Sequence, residues 1–568
     1  MFETKPWLKY YGNIPSEIDY KKRTLYRAFR ESAEAYPHNT ALDFMGAEIS
    51  YSSLLNLIDQ TAADLSAKGM KAGDRMTVCL PNCPEAIITF YALAKIGAVS
   101  SMIHPLSAPD EIEYYLNLSE SRWAITLNAF YSRFVDILDN TKVETVLITK
   151  LGTYMSPTMR TLFFLAKGRK IKALPEDSRI LNWSDLTAVK GSPVDEVESN
   201  PEGLASLLYS GGTTGSPKGI MLSHMNFNVL AGQTACQGSK RLGPLAPGDS
   251  ILAILPVFHG FGLAVCIHTF LVNGGCSILV PQFSAEVAGK IIRKKKPTIM
   301  AGVPTLFEAL SSNKNLLKAD LSGMKGVFAG GDSVPISIKR DFDKVLKERG
   351  ADIELREGYG LTESVTVSVL MPEDEYREAS IGVPYPDMLA KVILPDSYDE
   401  APAGTDGEIC ISGPSVMIGY LNDPEETSAV LQTHDDGRIW LHTGDIGAMD
   451  KDGFLYFKLR QKRMVKVSGI AVYPTQVEKV LESHPAVKMS CAIGVPDDYQ
   501  LHKIKAFVIL NKGYSAGSEL EEELIAYSRK HINKWSCPRL IEFRDELPLT
   551  RVGKIAYTVL EQEEAAEV

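Results

Sequence analysis

The chain has 568 residues, 60 Lys plus Arg against 70 Asp plus Glu, and hence a formal net charge of −10; 45% of its residues are hydrophobic and 23% charged. At about 100–200 residues per domain this length holds roughly three or four units, and the balance excludes a disordered acidic chain, a fibre and a small disulfide scaffold. It also argues against holding duplex DNA by overall charge, which needs a basic stripe, so no nucleic-acid partner is expected.

In chain order, Ala41–Phe44 and Glu48–Tyr51 flank Met45-Gly46-Ala47 and predict a hairpin. Leu54, Leu55, Ile58, Ala62 and Leu65 follow at helical spacing, closed by Gly69. Met76–Leu80 reads as a buried strand, Pro84–Ile96 as a helix opened by proline and closed by Gly97, and Ala98–Ile103 as a strand. Strand, helix, strand implies a right-handed crossover and a parallel sheet, and the alternation returns over Ser277–Gly302. Residues Lys150–Val194 lack this rhythm. There Leu162-Phe163-Phe164-Leu165 stands beside Lys167, Arg169 and Lys170, which reads as a surface insertion or as a basic membrane-surface element in weak peripheral contact.

From about Asp396 short strands take over: Gly407–Ser412, Arg438–Leu441 and Phe454–Phe457. A basic run, Leu459–Lys466, precedes a tail with its own apolar pattern: helices Pro474–Leu481 and Ser518–Lys530, strands Met489–Val495, Ala506–Leu510 and Ile541–Phe543, and a frayed acidic end at Glu561–Val568. The expected class is α/β. A large N-terminal domain of stacked α/β sheets (1–460), including a small β-rich subdomain (396–460), precedes a hinge at 461–464 and a small mobile α+β C-terminal domain (465–568). Eight scattered cysteines without a CxxC pair read as buried thiols rather than a zinc site. Met1-Phe2-Glu3-Thr4-Lys5-Pro6 lacks a signal-peptide layout, and Ile251–Val280 is too interrupted to span a bilayer, so a cytoplasmic protein is expected.

The strongest local signal is Tyr209-Ser210-Gly211-Gly212-Thr213-Thr214-Gly215-Ser216-Pro217-Lys218-Gly219, fed by an apolar strand, Leu204–Tyr209, and followed by a helix near Met225. Its glycines let several backbone N–H groups point at one anion, its hydroxyls can donate to phosphate oxygens, and Lys218 adds a point charge. Pro217 before the lysine and Gly219 after it rule out a Walker A loop. A plain Gly/Ser connector is the competing reading.

This segment resembles the phosphate loop of the adenylate-forming superfamily of acyl-CoA synthetases, adenylation domains and luciferases. Further matching motifs follow in that family's order: Pro256–Gly262 around His259, Ala329-Gly330-Gly331-Asp332, Tyr359-Gly360-Leu361-Thr362-Glu363, His442-Thr443-Gly444-Asp445, the basic run Arg460–Gly469, and Leu547–Lys554. The resemblance implies ATP, Mg²⁺ and coenzyme A as cosubstrates and cofactor. It puts Ser210, Gly211, Gly212, Thr213, Thr214, Gly215 and Lys218 on the phosphates, and Gly358, Tyr359 and Gly360 by adenine, with Glu357 standing where relatives with long-chain substrates often carry Gln. Thr362 falls near the α-phosphate, Glu363 and Thr213 on the metal, and Asp445 and Arg460 on the ribose. His259, Gly330 and Gly331 line the acyl pocket, and Lys554 is the lysine of adenylate formation. Arg463 stands at the hinge where relatives carry Asp or Lys, Gly469 on the coenzyme A path, and Lys462 and Lys466 near phosphate.

Taken singly, Glu363 could cap a helix, Asp445 an Asx turn, His259 could be a core histidine, and Lys462, Lys466 and Lys554 solvated surface charges. The implied activity is ATP-dependent ligation of a carboxylic acid, medium or long fatty acids foremost, to coenzyme A through acyl-AMP. The Gly211-Gly212 variant, Pro6–Tyr11 and the 150–194 insertion resemble the long-chain group. An aryl- or steroid-acid ligase and an acyl-carrier-protein ligase are the alternatives, and a non-catalytic nucleotide sensor is a remote one. A monomer or homodimer is expected.

Overall fold

The computed structural model describes residues 2–567 apart from 172, 189–190, 199, 211–216, 396, 461–462, 464, 468–469, 473, 498–500, 533–534 and 551–553. Arg460 and Lys466 are described through their backbones. Among the described residues, two large sheets form the body. The first has nine strands; its parallel centre runs Leu355–Tyr359, Gly326–Gly330, Ile299–Gly302, Ser250–Ala253, Cys276–Leu279 and Thr40–Phe44, and Ala47–Ser50 forms one edge. The second has eight, running from Gly419–Tyr420 through Gly219–Ser223, Leu204–Tyr209, Val99–Met102, Arg75–Cys79, Trp123–Leu127 and Thr145–Thr149 to Ile180–Asn182. One hydrophobic core joins them.

Local chemistry explains the best-read elements. Met45 and Gly46 have φ of 46° and 85°, the left-handed pair a two-residue hairpin demands, so the strands on either side turn back tightly. Pro84 starts the Pro84–Ile96 helix where no N–H is needed, and Gly97, at φ 77°, ends it in the left-handed conformation. Every residue of that helix is buried, as expected for a helix sandwiched in the core rather than lying on it.

Two strands and one helix were not expected from the sequence. The helix after the glycine-rich segment does not follow at once: Gly219–Ser223 first pairs antiparallel with Leu204–Tyr209, and the helix His224–Ala235 begins after it. Within the 150–194 insertion, where no strand was expected, Ile180–Asn182 pairs in parallel with Thr145–Thr149 and completes the second sheet. The acidic end is helical over Tyr557–Glu567, held by buried Leu560 and by ion pairs from Lys505 to Glu564 and from Arg544 to Glu563.

Behind the large sheets, Leu389–Ile393, Gly407–Ser412, Ile439–Met449, Leu431–Thr433 and Leu455–Arg460 make an antiparallel sheet. The C-terminal part builds a separate sheet, Val487–Asp497, Leu501–Leu510 and Leu540–Phe543, packed by helices Pro474–Glu482, Ser518–His531 and Tyr557–Glu567 around its own cores. The apolar stretch near 251–280 folds inward, with a fully buried π-helix at Phe261–Thr269. No helix among the described residues is long and apolar enough to cross a membrane.

Candidate active site

Residues of both large sheets, of the antiparallel sheet and of the small C-terminal lobe meet in one region: Tyr420 with Glu363, Tyr359 with Asp445, and Lys554 with Gly331. The phosphate-loop stem is closed by two bonds: the Ser210 N–H donates to the Lys218 carbonyl at 3.2 Å, and the Lys218 N–H to Oγ of Ser210 at 3.4 Å. Gly211, Gly212, Thr213, Thr214 and Gly215 lie outside the described residues. The Lys218 ammonium pairs with Glu426 and sits 4.9 Å over the ring of Tyr420. The Tyr420 hydroxyl donates to Oε1 of Glu363 at 2.9 Å. One aromatic ring thus joins the cation of the loop to the expected metal ligand. Glu363 offers hard carboxylate oxygens next to the loop stem, the ligand type Mg²⁺ takes, so this donor fits the ion.

Tyr359, Gly360 and Gly358 come from the end of the Leu355–Tyr359 strand. A Cβ on Gly360 would fall 1.6 Å from the carbonyl oxygen of Thr366, so no side chain fits there. The Tyr359 hydroxyl donates to Oδ2 of Asp445 at 2.6 Å. Asp445 is 1% exposed, and its turn is fixed from behind: Glu408 accepts from the Gly444 N–H at 2.9 Å, and Thr443 Oγ1 from the Asp445 N–H at 3.1 Å. In the strand register Asp445 faces Arg460, which puts both expected ribose residues at one cross-strand pair. Thr362 opens the short 3₁₀ turn Thr362–Ser364 directly after Leu361. Glu357, just before this cluster, is pushed up to about 7 by burial, with Lys479 of the small lobe pulling it back.

Gly330, Gly331 and His259, the residues expected at the acyl pocket, lie near Phe261 and Lys554. A Cβ on Gly330 would meet the Gly358 carbonyl at 3.1 Å and the Phe261 ring at 3.4 Å; one on Gly331, at φ 86°, would lie 3.5 Å from both Lys554 Cε and Val303. Lys554 reaches this point from a turn in which the Thr550 N–H donates to the Lys554 carbonyl at 2.6 Å. His259 is held down to about 4, first by burial and then by the Lys554 ammonium, so its imidazole is neutral at physiological pH. Its Nδ1 accepts from the Phe261 N–H at 3.2 Å, which fixes the proton on Nε2.

Arg463 is anchored on the small lobe. Its guanidinium donates to Glu478 at 2.5 Å and to the Ala492 carbonyl at 3.1 Å, and stacks 4.6 Å from the Tyr557 ring. Across the cleft, Asp332 lies within electrostatic reach of both Lys554 and Arg463. Lys462 and Gly469 lie outside the described residues. Lys466 is the centre of the short strand Val465–Val467, opposite Ala471. The site also uses Tyr420, Glu426 and Glu408, which no sequence motif pointed to; each meets a motif residue only through tertiary packing.

The chain matches the model of the AMP-binding enzyme family over residues 29–421 and that of the AMP-binding enzyme C-terminal domain over 476–554. It is 34% identical to a long-chain-fatty-acid–CoA ligase of Bacillus subtilis (strain 168), with 99% of each chain covered. It is 33% identical to a protein of the same name from Escherichia coli O6:H1, again over 99% of each. Among solved structures, the anthranilate CoA ligase AuaEII with anthranoyl-AMP superposes with a TM-score of 0.82 at 24% identity, covering 98% of this chain and 100% of that one. ATP-bound MatB from Rhodopseudomonas palustris superposes at 0.81 and 24% identity, over 95% and 98%. The fold, the ordered motifs and the full-length relatives agree: the chain belongs to the AMP-binding enzyme family.

Proposed function

We propose that this protein is an AMP-forming acid–thiol ligase that activates a long-chain fatty acid with ATP, releases pyrophosphate, and passes the acyl group to coenzyme A. The names of its full-length relatives support the substrate class. The observation that carries the reaction is the approach of Lys554, from the C-terminal lobe, to Gly331 and His259 in the pocket of the other lobe.

In the first half-reaction a carboxylate oxygen attacks the α-phosphorus and pyrophosphate leaves. Two anions meet, so a pre-aimed cation lowers the barrier by countering charge where it builds up. Lys554 is that cation, Thr362 is its neighbour at the α-phosphate, and neutral His259 shapes the carboxylate's seat without adding charge. Gly330 and Gly331 let the acyl chain run close to the backbone. Ser210, Gly211–Gly215 and Lys218 hold the phosphates, Tyr359 with Gly358 and Gly360 the adenine, and Asp445 and Arg460 the ribose. Glu363 and Thr213 hold Mg²⁺, which when bound screens the triphosphate charge. In the second half-reaction the thiol attacks the acyl carbon and AMP leaves. Lys554 would stand in its way, so the small lobe swivels about the 461–464 segment, with Arg463 at its root, and Gly469 then borders the pantetheine path while Lys462 and Lys466 meet phosphate.

The test separates the halves. Lys554→Ala loses about 10²–10³ in the rate of pyrophosphate release and retains thioester synthesis from supplied acyl-AMP. Equal loss in both halves contradicts the role of Lys554. Coenzyme A against acyl carrier protein as acceptor in the same assay decides between the two thiols.

A further inference from the structure

We infer that the helix Pro157–Ala166 and the turn after it are a docking element for an anionic lipid surface, a role separate from the ATP site and independent of which acid is ligated. Ser156 caps the helix and its inner side is fixed: Met159 and Phe163, four residues apart, pack against the main core, and the Ser156 hydroxyl donates to the Met45 carbonyl at the hairpin turn. Its outer side is the reverse of an ordinary surface helix. Leu162, Phe164 and Leu165 are 55%, 56% and 50% exposed, and none of the helix's residues is buried. Among the described residues, no other run of four positions exposes three large hydrophobic side chains. Single exposed apolar residues are ordinary; three adjoining ones on a pinned helix form a patch that calls for a cover.

Charge decides what covers it. Between Leu151 and Pro175 the sequence holds Arg160, Lys167, Arg169, Lys170 and Lys172 and no Asp or Glu, in a chain of net charge −10. Arg160, Lys167, Arg169 and Lys170 are exposed, and Arg169 is turned back to the Leu165 carbonyl at 3.1 Å, which sets a cation directly beside the apolar patch. Lys167 and Lys170 have no ion-pair partner among the described residues. An apolar ridge of leucine and phenylalanine flanked by lysine and arginine matches the interface of a bilayer with anionic headgroups, where the apolar tips enter the acyl boundary and the cations meet phosphate. In a two-fold contact a second copy would set this basic ridge against itself, cation against cation. At about 15 Å the helix is too short to span and suited to lie in the surface. Its start sits against the Met45–Gly46 turn at Ala47–Ser50, one edge of the first sheet and five strands removed from Leu355–Tyr359, so docking there leaves Tyr359 and its neighbours clear.

The test is flotation of the full-length protein with phosphatidylcholine vesicles, with and without phosphatidylglycerol. The expected result is binding to the anionic vesicles, weakened by salt. Lys167→Gln with Lys170→Gln should lower it about 25-fold, since each cation near such a surface contributes about fivefold. Leu162→Ser with Phe164→Ser and Leu165→Ser should lower it at least tenfold, with adenylation of a soluble short acid unchanged as proof of folding. Tryptophan fluorescence of Phe164→Trp should rise with anionic vesicles and be quenched by brominated lipid. Absence of wild-type binding, equal binding by both variants, or a wild-type dimer that the serine variant turns into a monomer without any vesicle binding would each overturn the proposal.

Discussion

Tyr359 and Asp445 come from different sheets and meet in one 2.6 Å hydrogen bond over a carboxylate that is almost fully buried. A hydrogen bond to a charged group contributes about 1.5–3 kcal/mol, enough to hold Asp445 in one orientation before nucleotide arrives. Tyr359→Phe keeps the ring and removes the hydroxyl. Steady-state kinetics should show KM for ATP raised at least tenfold with a smaller change in kcat; an unchanged KM would mean that Asp445 needs no such support. The motifs drew attention to Tyr359, Asp445, Glu363 and Lys554 because each sits in a run with a recognisable order. Tyr420 and Glu426 were illegible because nothing local marks them: Tyr420 matters through Lys218 and Glu363, which only the fold brings to its two sides. The neutral state of His259 was equally hidden, since it depends first on burial within the fold and then on a lysine from the far end of the chain.

Among elements, the punctuation was legible and the pairing was not. Pro84, Gly97 and Gly69 mark their helix ends by backbone chemistry that acts within a few residues. The Gly219–Ser223 strand escaped because it is apolar on both faces and lacks the alternation of a half-buried strand, and it needs Leu204–Tyr209 beside it. The terminal helix escaped because its glutamates read as a solvated tail until Lys505 and Arg544 are placed against them. The helix Pro474–Glu482 carries a measurable consequence. Burial pushes Glu482 up to about 8, against the opposing pull of a 2.9 Å hydrogen bond that its Oε1 accepts from the Ser490 N–H. A carboxyl raised in the folded state contributes stability that is complete below its unfolded pKa, about 4.5, and is lost as pH climbs through about 8. Glu482→Gln copies the protonated form. Its Tm should equal that of wild type near pH 4 and exceed it near pH 8, and a gap that fails to grow with pH would refute the buried neutral acid.

At the scale of the molecule, two lobes with separate cores are held in one arrangement by a few cross-cleft contacts. Lys488 of the small lobe pairs with Glu308 at 2.7 Å, Thr475 donates to the Lys458 carbonyl, and Lys554 reaches Gly331. Exposed or half-exposed pairs of this kind contribute about 1 kcal/mol or less, so the arrangement is one that can be left. The two-lobed plan was legible in the change of texture after Asp396 and in the basic run that follows. The relative placement was not, because it rests on contacts such as Lys488 with Glu308 and Lys554 with Gly331, which lie far apart in the chain. In the proposed mechanism this arrangement makes the adenylate and a different one makes the thioester. The most direct measurement is a reversible tether: Glu308→Cys with Lys488→Cys, bridged by a disulfide-containing bis-maleimide, to which the native cysteines, buried or half-buried, are poor competitors. The tethered enzyme should release pyrophosphate and hold acyl-AMP but make no acyl-CoA until a reductant cuts the linker; acyl-CoA formed at the untethered rate with the linker intact would contradict the account.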